Sequence, residues 1–186
     1  MTFSDFYSTT FPQSDKGIEH DYIDGWYSSE FSSIRNNNLT IVEIGIQKGY
    51  SLNLFKKWFI NSKIVGIDNG DEVREDYYEF INTIDDVDII WDDAYSKTIV
   101  DRFEDNSIDY IIDDGPHWTE SQLDCVRLWY SKLKPGGKII IEDIQSFEST
   151  KHLFIELSNE LNIKMDIIDL RPNKGRFDDI LLIFYK

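Results

Sequence analysis

Five short runs rich in β-branched residues recur along the chain and are separated by segments of helical length. The runs span residues 40–46, 64–68, 87–91, 108–112 and 138–142. Such regular alternation is typical of βα units whose parallel sheet is covered by helices on both faces. The pattern therefore predicts an α/β fold built around one mostly parallel sheet.

The segments between the runs carry apolar residues at helical spacing, which predicts crossover helices. A similar stripe occupies residues 120–133, and a further helix is predicted at 147–161. The last two runs, 164–170 and 179–185, are predicted to form a hairpin that ends the sheet. The stripe after the first run consists of Leu52, Leu54, Phe55, Trp58 and Phe59.

Composition limits the number of domains and the kinds of partner. The 186 residues are 41% hydrophobic, enough for one core, so we expect a single domain, 1–186, with an N-terminal cap at 1–38 and a core at 39–186. The net charge of -16 argues against nucleic acid as a partner. The lone Cys125 excludes an intramolecular disulfide, and the absence of a long apolar run predicts a cytoplasmic protein without a membrane span.

The loops after the first three runs contain residues suited to binding a nucleoside. In open α/β sheets, ligands bind beyond the carboxyl ends of the strands. Gly45 and Gly49 permit a tight turn, and Asp68 lies about 20 residues further on, where a carboxylate can accept both ribose hydroxyls. Asp93 is placed beside an adenine ring. The structural alternative is that Asp68 only caps the next helix.

Carboxylates cluster after the fourth and fifth runs, beside a histidine. Asp114, Glu142 and Asp143 are hard oxygen ligands suited to Mg²⁺ or a similar divalent cation, and adjacent strands about 4.8 Å apart would bring them together. His117 is a side chain able to take a proton near neutral pH. The alternative is that these acids are solvated loop residues. His20 and His152 do not lie at a predicted ligand-binding edge and are interpreted as surface residues or as neighbours of the site.

Taken in order, these motifs resemble class I S-adenosylmethionine-dependent methyltransferases. Within that superfamily they resemble the metal-dependent sugar O-methyltransferases of macrolide and other glycosylated natural products, a group that includes cephalosporin-hydroxylase-like proteins. Residues 14–22 resemble the opening motif of that group, and Pro116 departs from it, since a small serine is usual there. The motifs that carry the resemblance are Glu43-Ile-Gly45, Gly66-Ile-Asp68, Asp92-Asp93, residues 111–117 and residues 133–143.

The resemblance implies a Rossmann-like seven-stranded sheet with an antiparallel C-terminal strand, and it implies a role for each motif residue. S-adenosyl-L-methionine is the implied methyl donor and Mg²⁺ the implied metal. His117 is implied as the base that deprotonates an acceptor hydroxyl. The implied metal ligands are Asp114, Glu142 and Asp143. The implied cofactor-binding residues are Glu43, Gly45, Gly49 and Ser51 at methionine, Asp68 at ribose, and Asp93 and Ala94 at adenine.

Several readings of the acceptor and of the activity stay open on sequence alone. We favour a sugar or glycosylated small molecule over a catechol because the histidine-containing motif resembles the sugar group. Trp26, Tyr27 and Trp118 either stack on the acceptor or belong to the core. Two further alternatives are a non-catalytic binding module and a nicotinamide-dependent oxidoreductase, the latter disfavoured because Gln47 replaces the middle glycine. We expect a partner subunit of a homo-oligomer to help close the site.

Overall fold

A seven-stranded mixed sheet forms the centre of the molecule. The structure, a computed structural model, describes residues 1–10 and 13–186. The strand order is β3-β2-β1-β4-β5-β7-β6, and all neighbouring pairs are parallel except those that involve β7. The strands are β1 (Thr40–Ile44), β2 (Lys63–Asp68), β3 (Asp88–Trp91), β4 (Ile108–Asp113), β5 (Leu133–Ile141), β6 (Lys164–Asp169) and β7 (Ile180–Tyr185).

Helices connect the strands and also build the N-terminal segment. A π-helix (Ile23–Tyr27) and two 3₁₀ segments (Ser32–Ile34 and Tyr130–Lys132) supplement the α-helices. The α-helices are α1 (Phe3–Thr10), α2 (Asp15–Ile18), α3 (Ser28–Phe31), α4 (Tyr50–Trp58), α5 (Glu75–Ile81), α6 (Lys97–Val100), α7 (Thr119–Trp129), α8 (Phe147–Glu160) and α9 (Arg171–Lys174).

The predicted α/β architecture, with a mostly parallel sheet and an antiparallel C-terminal strand, is confirmed. The last two strands do pair as predicted, but β7 inserts between β5 and β6, so that β6 forms the edge of the sheet. The fifth strand begins five residues earlier than its predicted start at 138, because Lys134 to Gly137 continue the strand despite the Pro-Gly-Gly sequence.

Two apolar clusters cover the two faces of the sheet. On one face, α6, α7 and α8 contribute residues such as Ile99, Trp129 and Phe154. On the other face, α4 packs together with the N-terminal segment, whose Phe3 and Phe31 are fully buried. The N-terminal segment, which was predicted to form a cap, therefore also contributes to the apolar core on this face of the sheet. Its positions 11 and 12 lie outside the described residues.

The register of the parallel strands brings their carboxyl ends to one edge. Ile44 in β1 pairs with Asp113 in β4, and Asp113 pairs with Ile141 in β5. The residues that follow these three strands therefore lie side by side. Among the described residues, no helix is long and apolar enough to cross a membrane.

Candidate active site

A crevice of about 870 Å³ opens at the carboxyl ends of β1, β2, β3, β4 and β5. Its volume lies within the range of about 300–1,000 Å³ that is usual for small-molecule sites. One end is bordered by Asp68 and Asp93, and the other by Asp114, His117 and Asp143. The crevice therefore joins the nucleoside-binding residues predicted from the sequence to the predicted catalytic end.

The turn after β1 shapes the middle of the crevice. Gly45 has a φ of +81°, and a Cβ atom there would lie 2.1 Å from the carbonyl oxygen of Asp114. Only glycine therefore lets the β1 turn approach the loop after β4 so closely. Gly49, with a φ of +76°, is the N-cap residue directly before α4, and Ser51 in the first turn of α4 borders the crevice.

Asp68 holds the same turn from the opposite side. Its Oδ2 accepts hydrogen bonds from the backbone N–H groups of Ile46 at 2.8 Å and Gln47 at 3.1 Å. Its Oδ1 accepts one from the N–H of Gly70 at 2.7 Å. The carboxylate thus fixes the glycine turn while bordering the crevice, and it does not act as the cap of a following helix.

The residues predicted to flank adenine follow β3. Asp93 Oδ1 accepts a hydrogen bond from the N–H of Tyr95 at 2.9 Å. Ala94 is buried, and its carbonyl accepts a bond from the indole N–H of Trp129. Both residues border the crevice at the end where Asp68 lies.

His117 lies at the other end, between two carboxylates. Its Nε2 is 3.2 Å from Asp114 Oδ1 and 3.5 Å from Asp143 Oδ2. Burial lowers the pKa of His117, but the hydrogen bond to Asp114 and the charges of Asp114, Asp143 and Asp113 outweigh it and raise the pKa to about 9. The ring is therefore oriented by carboxylates that favour its protonated form.

The atoms of this trio satisfy a simple geometric condition for metal binding. One ligand atom from each of Asp114, His117 and Asp143 lies within 4.8 Å of the others. Burial raises the pKa of Asp143 to about 6, although His20 and His117 oppose it. By contrast, Lys16 and His117 overcome burial and lower the pKa of Asp114 to about 2. Two of the three predicted metal ligands thus face the crevice together.

Glu142, the third predicted ligand, and Glu43, which was predicted to border the cofactor, are almost completely buried and do not border the crevice. Glu142 accepts a hydrogen bond from Lys16 Nζ at 2.5 Å and another from the hydroxyl of Tyr27. Glu43 lies 3.6 Å from the same Nζ. These two acids form the base of the site.

Three of the site's neighbours come from the N-terminal segment, and none of them was predicted to contact the carboxylates. Besides Lys16 and Tyr27, Tyr22 donates a hydrogen bond to Asp143 Oδ1 at 2.5 Å. His20, interpreted from the sequence as a surface residue or a neighbour of the site, is a neighbour: its Nδ1 lies 3.2 Å from Asp143 Oδ1. The motif at 14–22 was the available signal, but the sequence did not show which strands it would contact.

The aromatic side chains proposed for acceptor stacking divide into two groups. Trp26 and Tyr27 are buried in the core. Trp118 borders the crevice, directly follows His117, and has 70% of its surface exposed. Of the three, only Trp118 is accessible to an acceptor. His152, by contrast, is exposed on α8.

Comparison with curated proteins finds natural-product O-methyltransferases. The 8-demethyl-8-α-L-rhamnosyl tetracenomycin-C 2'-O-methyltransferase of Streptomyces olivaceus is 29% identical over 140 residues, which are 72% of this chain and 35% of that protein. The demethylmacrocin O-methyltransferase of Streptomyces fradiae is 26% identical over 63% of this chain and 30% of that protein. The chain spans about a third of the length of these relatives.

Solved methyltransferases share the fold. The MycE methyltransferase from the mycinamycin biosynthetic pathway, in complex with Mg, S-adenosylhomocysteine and mycinamycin VI, superposes with a TM-score of 0.73 at 19% identity, over 100% of this chain and 54% of that one. A putative S-adenosyl-L-methionine-dependent methyltransferase from Methanococcus maripaludis gives a TM-score of 0.66 at 19% identity, over 98% and 89%.

A family model provides the assignment. The model described as "Methyltransferase domain" matches residues 42–144, which run from β1 to the loop after β5 and include most of the crevice. The strand order and the antiparallel β7 agree with this assignment. The chain therefore belongs to the methyltransferase-domain family, with a class I, Rossmann-like fold related to that of the macrolide and glycoside sugar O-methyltransferases.

Proposed function

We propose that the protein transfers a methyl group from S-adenosyl-L-methionine to a hydroxyl group of a sugar or a glycosylated small molecule, with the help of a divalent cation such as Mg²⁺. The observation that carries the proposal is the single crevice that joins Asp68 and Asp93 at one end to Asp114, His117 and Asp143 at the other. A donor and an acceptor bound in this crevice would meet at the histidine.

The donor would lie along the carboxyl ends of β1, β2 and β3. Asp68 accepts a hydrogen bond from the ribose at Oδ1, the oxygen that only one backbone N–H group occupies. Asp93 and Ala94 flank the adenine, and Gly45, Gly49 and Ser51 border the methionine part. When bound, the donor supplies a sulfonium methyl group, and S-adenosylhomocysteine leaves as the acceptor oxygen gains that group.

The chemistry of the donor set fits a divalent cation. Asp114 and Asp143 face the crevice with carboxylate oxygens, and Mg²⁺ is commonly held by one or two carboxylates together with water and substrate oxygens. When bound, the ion supplies a Lewis acid that lowers the pKa of an acceptor hydroxyl. Glu142 is the third proposed ligand, and one of its carboxylate oxygens accepts a hydrogen bond from Lys16.

His117 takes the proton that the acceptor loses, which requires a neutral imidazole. A cation held by Asp114 and Asp143 would offset the negative charges that raise the pKa of His117 to about 9. Its Nε2 lies against Asp114 and Asp143, and these carboxylates stabilise the imidazolium that forms. One O–H bond breaks at the acceptor, one O–CH₃ bond forms, and the proton ends on the imidazole. Much of the remaining rate enhancement comes from alignment of the two substrates, a contribution of up to about 7–11 kcal/mol in favourable cases.

A sugar hydroxyl is the acceptor that the comparisons support. The names of related enzymes refer to a rhamnosyl tetracenomycin and to mycinamicin VI as substrates. The exposed ring of Trp118 offers a flat surface beside His117 on which the apolar face of a sugar can pack. A catechol would use the same metal and stacking surface, which makes it the natural alternative in an acceptor screen.

The test is a methyl-transfer assay in which S-adenosylhomocysteine is measured by mass spectrometry. The protein is incubated with S-adenosylmethionine, Mg²⁺ and either rhamnosides and other glycosides or catechols. We expect product with a glycoside, and we expect His117→Ala to lower turnover by roughly 100-fold or more, the usual contribution of a general base, while donor affinity stays close to that of the wild type.

His152→Ala is the matched control, because His152 is exposed on α8 and lies outside the crevice. It should retain full turnover. Methylation of catechols alone would replace the sugar by a catechol acceptor. Donor binding without transfer to either class would favour the non-catalytic binding module.

A further inference from the structure

Lys16 is a lysine buried beneath the carboxylates of the crevice. It belongs to α2 in the N-terminal segment, and its side chain is 1% exposed. Its Nζ lies 2.6 Å from Asp114 Oδ2, 2.5 Å from Glu142 Oε2 and 3.6 Å from Glu43 Oε1. These three acids lie at or beyond the ends of β4, β5 and β1, so one ammonium group contacts the residues of three strands.

The charge of Lys16 is stabilised by this setting. Lysines are almost never fully buried unless they are paired. Lys16 is paired with three acids: its Nζ donates hydrogen bonds to Asp114 and Glu142 and lies near the carboxylate of Glu43. The side chain is therefore an ammonium ion that neutralises part of a dense group of buried carboxylates.

The contacts of Lys16 overlap with the proposed metal site. Asp114 uses Oδ1 for His117 and Oδ2 for Lys16, although the same carboxylate belongs to the trio with metal-binding geometry. Glu142 is occupied by Lys16 and Tyr27. A divalent cation bound by Asp114, or by both Asp114 and Glu142, would therefore share these carboxylates with the ammonium group of Lys16.

We propose that Lys16 is a resident cation that competes with the divalent cation for Asp114 and Glu142, and so keeps the site assembled without metal and weakens metal binding. The inference rests on the proposed function for the identity of the ion. It makes Lys16 a positioning residue, since it acts on the carboxylates and does not border the crevice. It also gives the motif at 14–22 a chemical role.

The direct test is calorimetric titration of metal-stripped Lys16→Met with MgCl₂, together with thermal unfolding with and without Mg²⁺. We expect Mg²⁺ to bind about tenfold more tightly than to the wild type, because a positive charge has left the shared carboxylates. The rise in Tm caused by Mg²⁺ should also be larger in the variant. Simple structural damage would instead weaken metal binding.

Lys132→Met is the matched control. Lys132 is also largely buried and pairs with an acid, Asp105 at 2.7 Å, but it lies outside the crevice. This variant should leave the affinity for Mg²⁺ unchanged. The proposal is overturned if Lys16→Met binds Mg²⁺ no more tightly than the wild type does.

A second variant covers the case in which Lys16→Met fails to fold. Lys16→Met combined with Glu43→Gln removes the buried lysine together with a neighbouring acid and keeps all three proposed metal ligands. Tighter binding of Mg²⁺ here supports competition for individual carboxylates, whereas wild-type or weaker affinity contradicts it. Neither titration needs donor or acceptor, so failure of methyl transfer and failure of this inference are separate results.

Discussion

At the scale of single residues, the catalytic end of the crevice stands out for its backbone conformations. His117 has a φ of +59° and Asp143 a φ of +55°, in the left-handed region that residues other than glycine seldom adopt. Such conformations persist only where the surroundings hold them, and they cluster at functional sites. Here hydrogen bonds and ion pairs to Asp114 and Tyr22 hold the two side chains.

Trp118 carries a prediction about the acceptor. Because its exposed ring borders the crevice, Trp118→Ala should raise the KM for the sugar acceptor by about 2- to 10-fold, corresponding to a stacking contribution of about 0.5–1.5 kcal/mol. Steady-state kinetics with varied acceptor would measure it. Phe177→Ala removes a ring of similar exposure outside the crevice and should leave KM unchanged. Equal KM values in both variants would rule out a contact between Trp118 and the acceptor.

The raised pKa of Glu43 predicts that the stability of the protein depends on pH. Burial raises its pKa from 4.5 to about 7, although Lys16 opposes the shift. The folded state therefore favours the protonated acid. The resulting stabilisation is complete below the pKa that Glu43 has in the unfolded chain, and it is lost as pH rises through its pKa in the folded protein. The Glu43→Gln variant has no ionisable group at this position. Its free energy of unfolding relative to that of the wild type should therefore increase from about pH 5 to about pH 8, by up to about 3 kcal/mol.

Urea unfolding of the two proteins across that pH range is the measurement. The comparison cancels the titration of all other groups, because they are common to both proteins. A difference in unfolding free energy that stays constant with pH would show that Glu43 has an ordinary pKa.

The sequence predicted the positions of single residues where a strand end determines them, while the roles of these residues stay proposals. Asp68, Asp93, Asp114 and Asp143 border one crevice because the strands before them are parallel neighbours. The sequence did not predict the contact between Lys16 and Glu142, which joins positions 126 residues apart. No local pattern specifies that a lysine of the N-terminal segment will reach beneath β4 and β5.

At the scale of elements, the turn between β1 and α4 allows a prediction about stability. Gly45→Ala should destabilise the protein for two reasons: a positive φ and a Cβ atom 2.1 Å from the Asp114 carbonyl oxygen. Gly136 also has a positive φ, of +86°, but no atom lies within 4 Å of its added Cβ. Gly136→Ala is therefore the matched control, since it carries the backbone cost of about 1–2 kcal/mol alone.

We expect Gly45→Ala to lower the free energy of unfolding by about 1–3 kcal/mol more than Gly136→Ala does, as for an overpacked site. It should also weaken donor binding, since the turn borders the crevice. Urea unfolding measures the first effect. Equal destabilisation by both substitutions would mean that the close approach of the turn to the loop after β4 does not affect the free energy of unfolding.

The sequence predicted the regular elements better than the irregular ones. Runs of β-branched residues and helical stripes are local signals, and the strands and crossover helices follow them to within a few residues, except at the start of β5. The N-terminal segment forms short helices and a π-helix whose burial depends on α4 and the sheet. Its structure is set by long-range packing, which weak local periodicity does not reveal. The position of β7 between β5 and β6 is likewise a matter of tertiary pairing.

At the scale of the whole molecule, the crevice is acidic in an acidic protein. The chain has a net charge of -16, and Asp68, Asp93, Asp114 and Asp143 are among the residues that border the crevice. A negative potential there favours cationic ligands. S-adenosylmethionine, with its sulfonium and ammonium groups, and a divalent cation both match that potential, whereas a pyrophosphate-bearing dinucleotide does not.

The most direct test of the central claim is calorimetric titration of the protein with S-adenosylmethionine. We predict saturable binding of one donor molecule per chain. Asp68→Asn should weaken it by at least about tenfold, because hydrogen bonds to a charged group contribute about 1.5–3 kcal/mol. Asp88→Asn, at an exposed site on β3 outside the crevice, should bind like the wild type. A well-folded protein that gives no binding heat with S-adenosylmethionine would contradict the account.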